Sequence, residues 1–163
     1  MALFDKVMKF IFKEEGGKSD DAGGTNFGIS KKSNPDVDID SLTKYEAEMI
    51  YLTRYWSKYN YEWIKPEAIA AVLMDMAVNM GPGNSHRVLQ RALNLVYNSG
   101  LKVDGHIGIN TMLEIDKLVV LDVDNLMRAM IGYRFIYYSR CKQFKLNKRG
   151  WLKRALKCGG TYV

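Results

Sequence analysis

Two adjacent carboxylates, Glu14 and Glu15, close an apolar, helix-patterned run and are followed at once by Gly16 and Gly17. Asp20 and Asp21 come next, then Gly23, Gly24, Thr25 and Gly28. A carboxylate at the C-terminal end of a helix meets the partial negative charge of unpaired carbonyls, which disfavours its ionised form. Partial burial adds a desolvation penalty in the same direction. A carboxylic acid that keeps its proton near neutral pH can donate it to a leaving oxygen, as cleavage of a glycosidic bond requires. Glu15 is the candidate donor. A second carboxylate, Asp21 or Asp20, would hold a water or stabilise an oxocarbenium-like transition state, and the Thr25 hydroxyl would orient that water. The glycines allow close approach of backbone to a sugar chain. The competing reading, a solvated and frayed helix end, needs none of this chemistry. A phosphate-cradling loop is excluded, because no G-x-x-x-x-G-K-[ST] pattern occurs.

The elements that must position these groups are helical. Leu3, Val7 and Ile11 form one row and Phe4, Met8 and Phe12 its neighbour, so residues 2–15 read as an amphipathic helix. Residues 16–30, rich in Gly, Asp and Ser, read as loop, with a small irregular or β element near residues 18–30. Thr43-Lys44-Tyr45-Glu46 is a capping-box signature for a second helix carrying Ala47, Ile50, Tyr51 and Tyr55. Pro66 suits the start of a third, which is apolar on most of its circumference through Ile69, Val72, Leu73, Met76 and Met80. Gly81-Pro82-Gly83 ends it, and Asn84 or Ser85 caps the next. Residues 100–110 read as loop, Asp124 as the cap of a long helix, and Trp151, Leu152, Ala155 and Leu156 as the apolar side of a last, basic helix. The expected fold class is mainly α (α+β), a single domain over residues 1–163 without repeats.

Within the third helix Asp75 and Asn79 stand four residues apart on one face. Polar side chains in so apolar a helix need partners, either the glycine loop or glycan hydroxyl and N-acetyl groups. Tyr51, Tyr55, Trp56, Tyr59, Tyr61 and Trp63 offer sugar-stacking faces, although aromatics at that density more often build a core.

Composition narrows the classes. A chain of 163 residues with 47% hydrophobic and 12% aromatic content supports a folded core, not disorder. No apolar run approaches the ~20 residues of a membrane span. Asp5, Lys6, Lys9 and Lys13 interrupt the N-terminal apolar residues, so that segment reads as a first helix and not as a secretion signal. Cys141 and Cys158, with His86 and His106, have no metal-ligand spacing, so neither a metal nor a cofactor is expected, and both thiols read as reduced packing residues. Residues 125–163 hold ten Lys and Arg and no acid, whereas the first 124 residues hold fourteen bases and eighteen acids. That basic end suits an anionic surface, or is simply a solvated face. No nucleic-acid motif accompanies it, so no nucleic-acid partner is expected.

The order of motifs resembles glycoside hydrolase family 108. Glu15-Gly16-Gly17, Asp21-x-Gly23-Gly24 and Thr25-Asn26-Phe27-Gly28-Ile29 are similar to its E-G-G…D-x-G-G-x-T-x-x-G-I signature. Asp75-Met76-Ala77-Val78-Asn79-Met80-Gly81-Pro82 is similar to its D-x-A-V-N-x-G-P. Leu89-Gln90-Arg91-Ala92-Leu93 and Asp104-Gly105-His106-Ile107-Gly108-Ile109-Asn110-Thr111 resemble L-Q-x-A-L and D-G-x-I-G-x-x-T of its C-terminal peptidoglycan domain. Two departures stand out: Lys18 occupies a position that is usually aromatic, and the run from Glu15 to Thr25 is short.

The resemblance implies a lysozyme-like helical fold, with residues 1–80 the catalytic part and 81–163 a helical peptidoglycan-binding part. It implies an N-acetylmuramidase of the phage-endolysin or secretion-associated kind, cleaving the β-1,4 bond between N-acetylmuramic acid and N-acetylglucosamine. Glu15 matches the catalytic glutamate, with Asp21 and Thr25 assisting and Asp20, Asn26, Tyr51, Asp75 and Asn79 as substrate contacts. The expected partner is the peptidoglycan glycan strand, met by a monomer whose basic final helix favours the anionic envelope. Synthesis in a host cytoplasm and release by a holin or a dedicated export route are expected. A wall-binding module without catalysis, or a lytic transglycosylase, is the alternative.

Overall fold

Apolar side chains at three- and four-residue spacing drive the first helix, α1 (Ala2–Glu15), to bury one stripe. Phe4, Val7, Met8 and Ile11 lie on that stripe, while Asp5, Lys6, Lys9 and Lys13 stay exposed. Each fully buried side chain of this size contributes about 1.5–3 kcal/mol. The computed structural model describes residues 2–15, 24–117 and 123–161, and its chain divides into two compact units, residues 1–58 and 59–163.

In the first unit α1 is followed by an antiparallel hairpin, β1 (Thr25–Asn26) and β2 (Ile29–Ser30), with Thr25 opposite Ser30 and Asn26 opposite Ile29. The expected β element is thus a two-stranded hairpin at residues 25–30. α2 (Lys44–Tyr51) opens with the capping box in full: the Glu46 amide donates to the Thr43 hydroxyl, and the Glu46 carboxylate accepts from the Thr43 amide. It continues into one π-helical stretch, Leu52–Trp56, and Trp56 packs edge-on against Phe4 at 5.6 Å.

The second unit begins with a short 3₁₀ turn, Tyr61–Trp63, before α3 (Glu67–Met80). Then come α4 (Pro82–Tyr97), α5 (Ile109–Asp116), α6 (Val123–Arg140) and α7 (Phe144–Thr161). α3 is the centre of this unit, buried from Ile69 to Ala77 without a break. It packs on α4, α6 and α7, so the fold divides at 58/59, inside the stretch expected to be the catalytic part.

Three local expectations are corrected. The cap of α4 is Gly81, with Pro82 as its first residue, where a missing N–H costs nothing. Asn84 instead donates back to the Met80 carbonyl, and Ser85 to that of Pro82. Residues 109–116 form α5 beyond a loop that ends at Gly108. Asp124 lies in the first turn of α6, where its charge still complements the positive helix end.

Candidate active site

Glu15 is the last residue of α1 and is half-buried. One turn earlier, Phe12 faces Phe27 at 5.7 Å and Tyr51 at 6.1 Å, both edge-to-face. This aromatic contact fixes the exit of α1 against the hairpin and against α2.

The hairpin tip is the two-residue turn Phe27-Gly28, with φ of +51° and +77°. Positive φ at both central positions matches the right-handed twist of the strands. For Phe27 this conformation costs about 1–2 kcal/mol. The ring contact with Phe12 offsets it, as does a hydrogen bond of 3.0 Å from the Tyr51 hydroxyl to the Phe27 carbonyl. Gly28 is there for space as well as for φ: a β-carbon would lie 2.7 Å from Cγ of Glu15 and 2.7 Å from the Tyr51 hydroxyl oxygen. The Glu15 side chain therefore rests against bare backbone at the turn, with Tyr51 beside it.

Asn26 holds the hairpin in place. It is buried, and its Nδ2 donates to the carbonyls of Ile39 and Leu42, each at 3.2 Å. A second clamp forms where Arg54 donates to buried Asn34 at 2.7 Å and to Asp36. The hydrogen bond from the Arg54 guanidinium lowers the Asp36 carboxyl below the ordinary carboxylate range. The segment between the hairpin and α2 is thus tied at both ends.

The residues expected to form the site divide as follows. Glu15, Tyr51 and the turn of the T-x-x-G-I motif come together. Thr25 opens β1 and is half-buried. Asp20 and Asp21 lie outside the described residues. Asn26 has its amide committed to loop carbonyls. Tyr51 is 1% exposed, so its ring is core and only its hydroxyl reaches the turn. The role of the turn conformation escapes a reading by residue type, although N-F-G between a Thr and an Ile is a short-hairpin signal.

Asp75 and Asn79 lie in the second unit and are joined by partners that their own segment does not reveal. Asp75 is fully buried and accepts from Nη1 of Arg134 at 2.7 Å and Nε of Arg154 at 2.9 Å, one arginine on each carboxylate oxygen. Tyr138 donates to Asn79 and accepts from Nε of Arg134. Two guanidinium charges share one carboxylate, and the neutral oxygens of Asn79 and Tyr138 take up further donors. A sugar contact for Asp75 is corrected to a structural one: both of its oxygens are engaged within the core. The signal was present in α6, where Arg134 falls on the buried row of Met127, Met130 and Tyr138.

The later motifs are also internal. Gln90 accepts from the Gly105 amide and donates to Asp104 and to the His106 carbonyl. His86 bridges the Tyr61 hydroxyl at Nε2, 2.7 Å, and the Gly105 carbonyl at Nδ1, 2.9 Å. The carbonyl can only accept, so Nδ1 carries the proton and Nε2 receives the tyrosine hydroxyl. Burial pushes the His86 imidazole below its ordinary 6.5. These bonds explain the pairing of the two motifs as the fastening of the 98–108 loop to α4.

Among the described residues no group of three His, Cys, Asp or Glu is placed to hold a metal ion, and no helix is long and apolar enough to cross a membrane.

The mainly helical frame with a small antiparallel hairpin is consistent with a lysozyme-like fold. Residues 8–81 match the family model described as Glycosyl hydrolase 108. That match supports a glycan-hydrolase reading of the first helix and the hairpin. Among solved structures, one titled "Structure of Brucella abortus SagA" is similar at a TM-score of 0.85 and 26% identity, over 99% of this chain and 94% of that chain. No curated protein sequence matches.

Proposed function

We propose that the protein cleaves the β-1,4 bond between N-acetylmuramic acid and N-acetylglucosamine, with Glu15 as general acid. The observation that carries this reading is the seating of Glu15 at the end of α1 against Gly28 and Tyr51, within the family-matched stretch. The Glu15 carboxyl gives its proton to the glycosidic oxygen as the bond to the anomeric carbon breaks, and positive charge develops on the sugar ring. Asp21 or Asp20 stabilises that charge or takes a proton from the attacking water, and Thr25 orients the water. Residues 81–163 serve as the wall-binding part. There Arg134 and Arg154 are spent on Asp75, while the other eight bases after residue 124 are exposed and face the anionic envelope. The protein acts as a monomer on the cell wall after release, in host-cell lysis.

The test is clearing of purified peptidoglycan by the Glu15→Gln protein. Loss of about a hundredfold or more is expected for removal of a general acid. Unchanged clearing would overturn Glu15 as the acid, and no clearing by the unsubstituted protein would leave a wall-binding module without catalysis. Mass spectrometry of the fragments identifies the bond: reducing N-acetylmuramic acid ends support hydrolysis, and anhydro ends mark a transglycosylase.

A further inference from the structure

α7 turns one side into the second unit and leaves the other to solvent. Arg154, Ala155, Cys158 and Gly159 are buried, with Arg154 held on Asp75 and Gly159 against Ile131. At 3.6 residues per turn the opposite side carries Leu146, Arg149, Lys153 and Lys157 in one row, with Lys145 and Leu156 beside it. All six are exposed. Every residue from Lys145 to Gly150 is exposed, so the first turns of the helix stand clear of the core. The helix contains no acid, and Lys142 adds another exposed base in the turn before it.

Charge alone does not name the partner, but the leucines do. Leu146 is 87% exposed and Leu156 60%, the first flanked by Lys145 and Arg149, the second by Lys153 and Lys157. An exposed leucine gains nothing from a hydrophilic polyanion such as a nucleic acid or a wall polymer. A bilayer satisfies both kinds of group: headgroup phosphates take the bases, and the acyl boundary takes the leucines. Beside Leu156 a cleft of about 240 Å³ opens between α6 and α7, lined by Met127, Ile131 and the bare backbone of Gly159 and Gly160. Asp124 and Arg128 also line it and carry opposite charges. The basic row thus borders an apolar recess that an acyl chain would fill and a polyanion would leave empty.

We propose that the exposed side of α7 binds the surface of an anionic phospholipid bilayer, with the helix axis along the interface. Lys145, Arg149, Lys153 and Lys157 meet the phosphates, and Leu146 and Leu156 enter the acyl boundary. The proposal rests on the reading of the basic end as an envelope contact and names the layer, lipid and not glycan. It is independent of hydrolysis at Glu15.

The test is sedimentation of the full chain with vesicles of phosphatidylglycerol and phosphatidylcholine in equal parts. Binding is expected there, weakening as salt is raised, and is expected to be absent with phosphatidylcholine alone. Each base near such a surface contributes about fivefold, so Arg149→Gln with Lys153→Gln should lower the partition coefficient about twentyfold. Leu146→Ser with Leu156→Ser should lower it about tenfold. Both pairs are exposed, and an unchanged Tm shows the fold intact. No binding to the charged vesicles, equal binding to the neutral ones, or full binding by the Arg149 and Lys153 variant overturns the proposal. So does a leucine variant that binds as well as the parent, since the surface then reads charge alone, as for a nucleic acid or a wall polymer. Glu15→Gln should bind vesicles like the parent. Absence of vesicle binding alongside Glu15-dependent clearing sinks the bilayer contact and leaves the hydrolase reading standing.

Discussion

Gly28 and Glu15 are in such close contact that a β-carbon on the one would lie 2.7 Å from Cγ of the other. Gly28→Ala therefore has to displace the glutamate, and it also places a side chain at φ +77°. Stability should fall by about 1–2 kcal/mol from the backbone conformation. Peptidoglycan clearing should fall about a hundredfold, since a shift near 1 Å at a reacting group has that effect. A protein with lowered Tm and unimpaired clearing would show that the turn does not position Glu15.

The hydroxyl of Tyr51 holds the same turn from the other side, through the Phe27 carbonyl. Tyr51→Phe keeps the ring and removes the donor, at about 1–2 kcal/mol. Because the ring is core, the kinetic effect should fall on kcat with KM little changed. A raised KM at constant kcat would return Tyr51 to the role of a sugar platform.

Asp75 neutralised to Asn leaves two arginines facing each other in a dry interior. Breaking a buried ion pair by removing one partner costs about 3–5 kcal/mol, which is a large part of the stability of a domain this size. Chemical denaturation of Asp75→Asn should show that loss. A change below about 1 kcal/mol would mean that the arginines find other partners at no cost.

His86 makes stability depend on pH. Its folded value is depressed by burial below 6.5, so the unfolded chain takes up the proton first as pH falls. The stabilisation is complete above 6.5 and is lost progressively as pH drops from there towards the folded value. Tm should therefore fall as pH drops below 6.5, and the fall should be shallower in His86→Asn. Parallel profiles for the two proteins would assign the dependence to other groups.

The chain alone determined the helical class, the extent of α1, the capping box of α2 and the candidacy of Glu15. These are local matters: periodicity, a four-residue signature and one carboxylate at a helix end are written within a turn or two of sequence. Tertiary structure decided what those residues touch. Asn26 and Tyr51, read as sugar contacts, hold the turn through backbone carbonyls. Asp75 finds its partners 59 and 79 residues away. Nothing near Asp75 in sequence names them, because a buried charge must be matched but the fold alone decides by whom. The turn at Phe27-Gly28 belongs to the same class, since its conformation is favourable only with Phe12, Glu15 and Tyr51 packed around it.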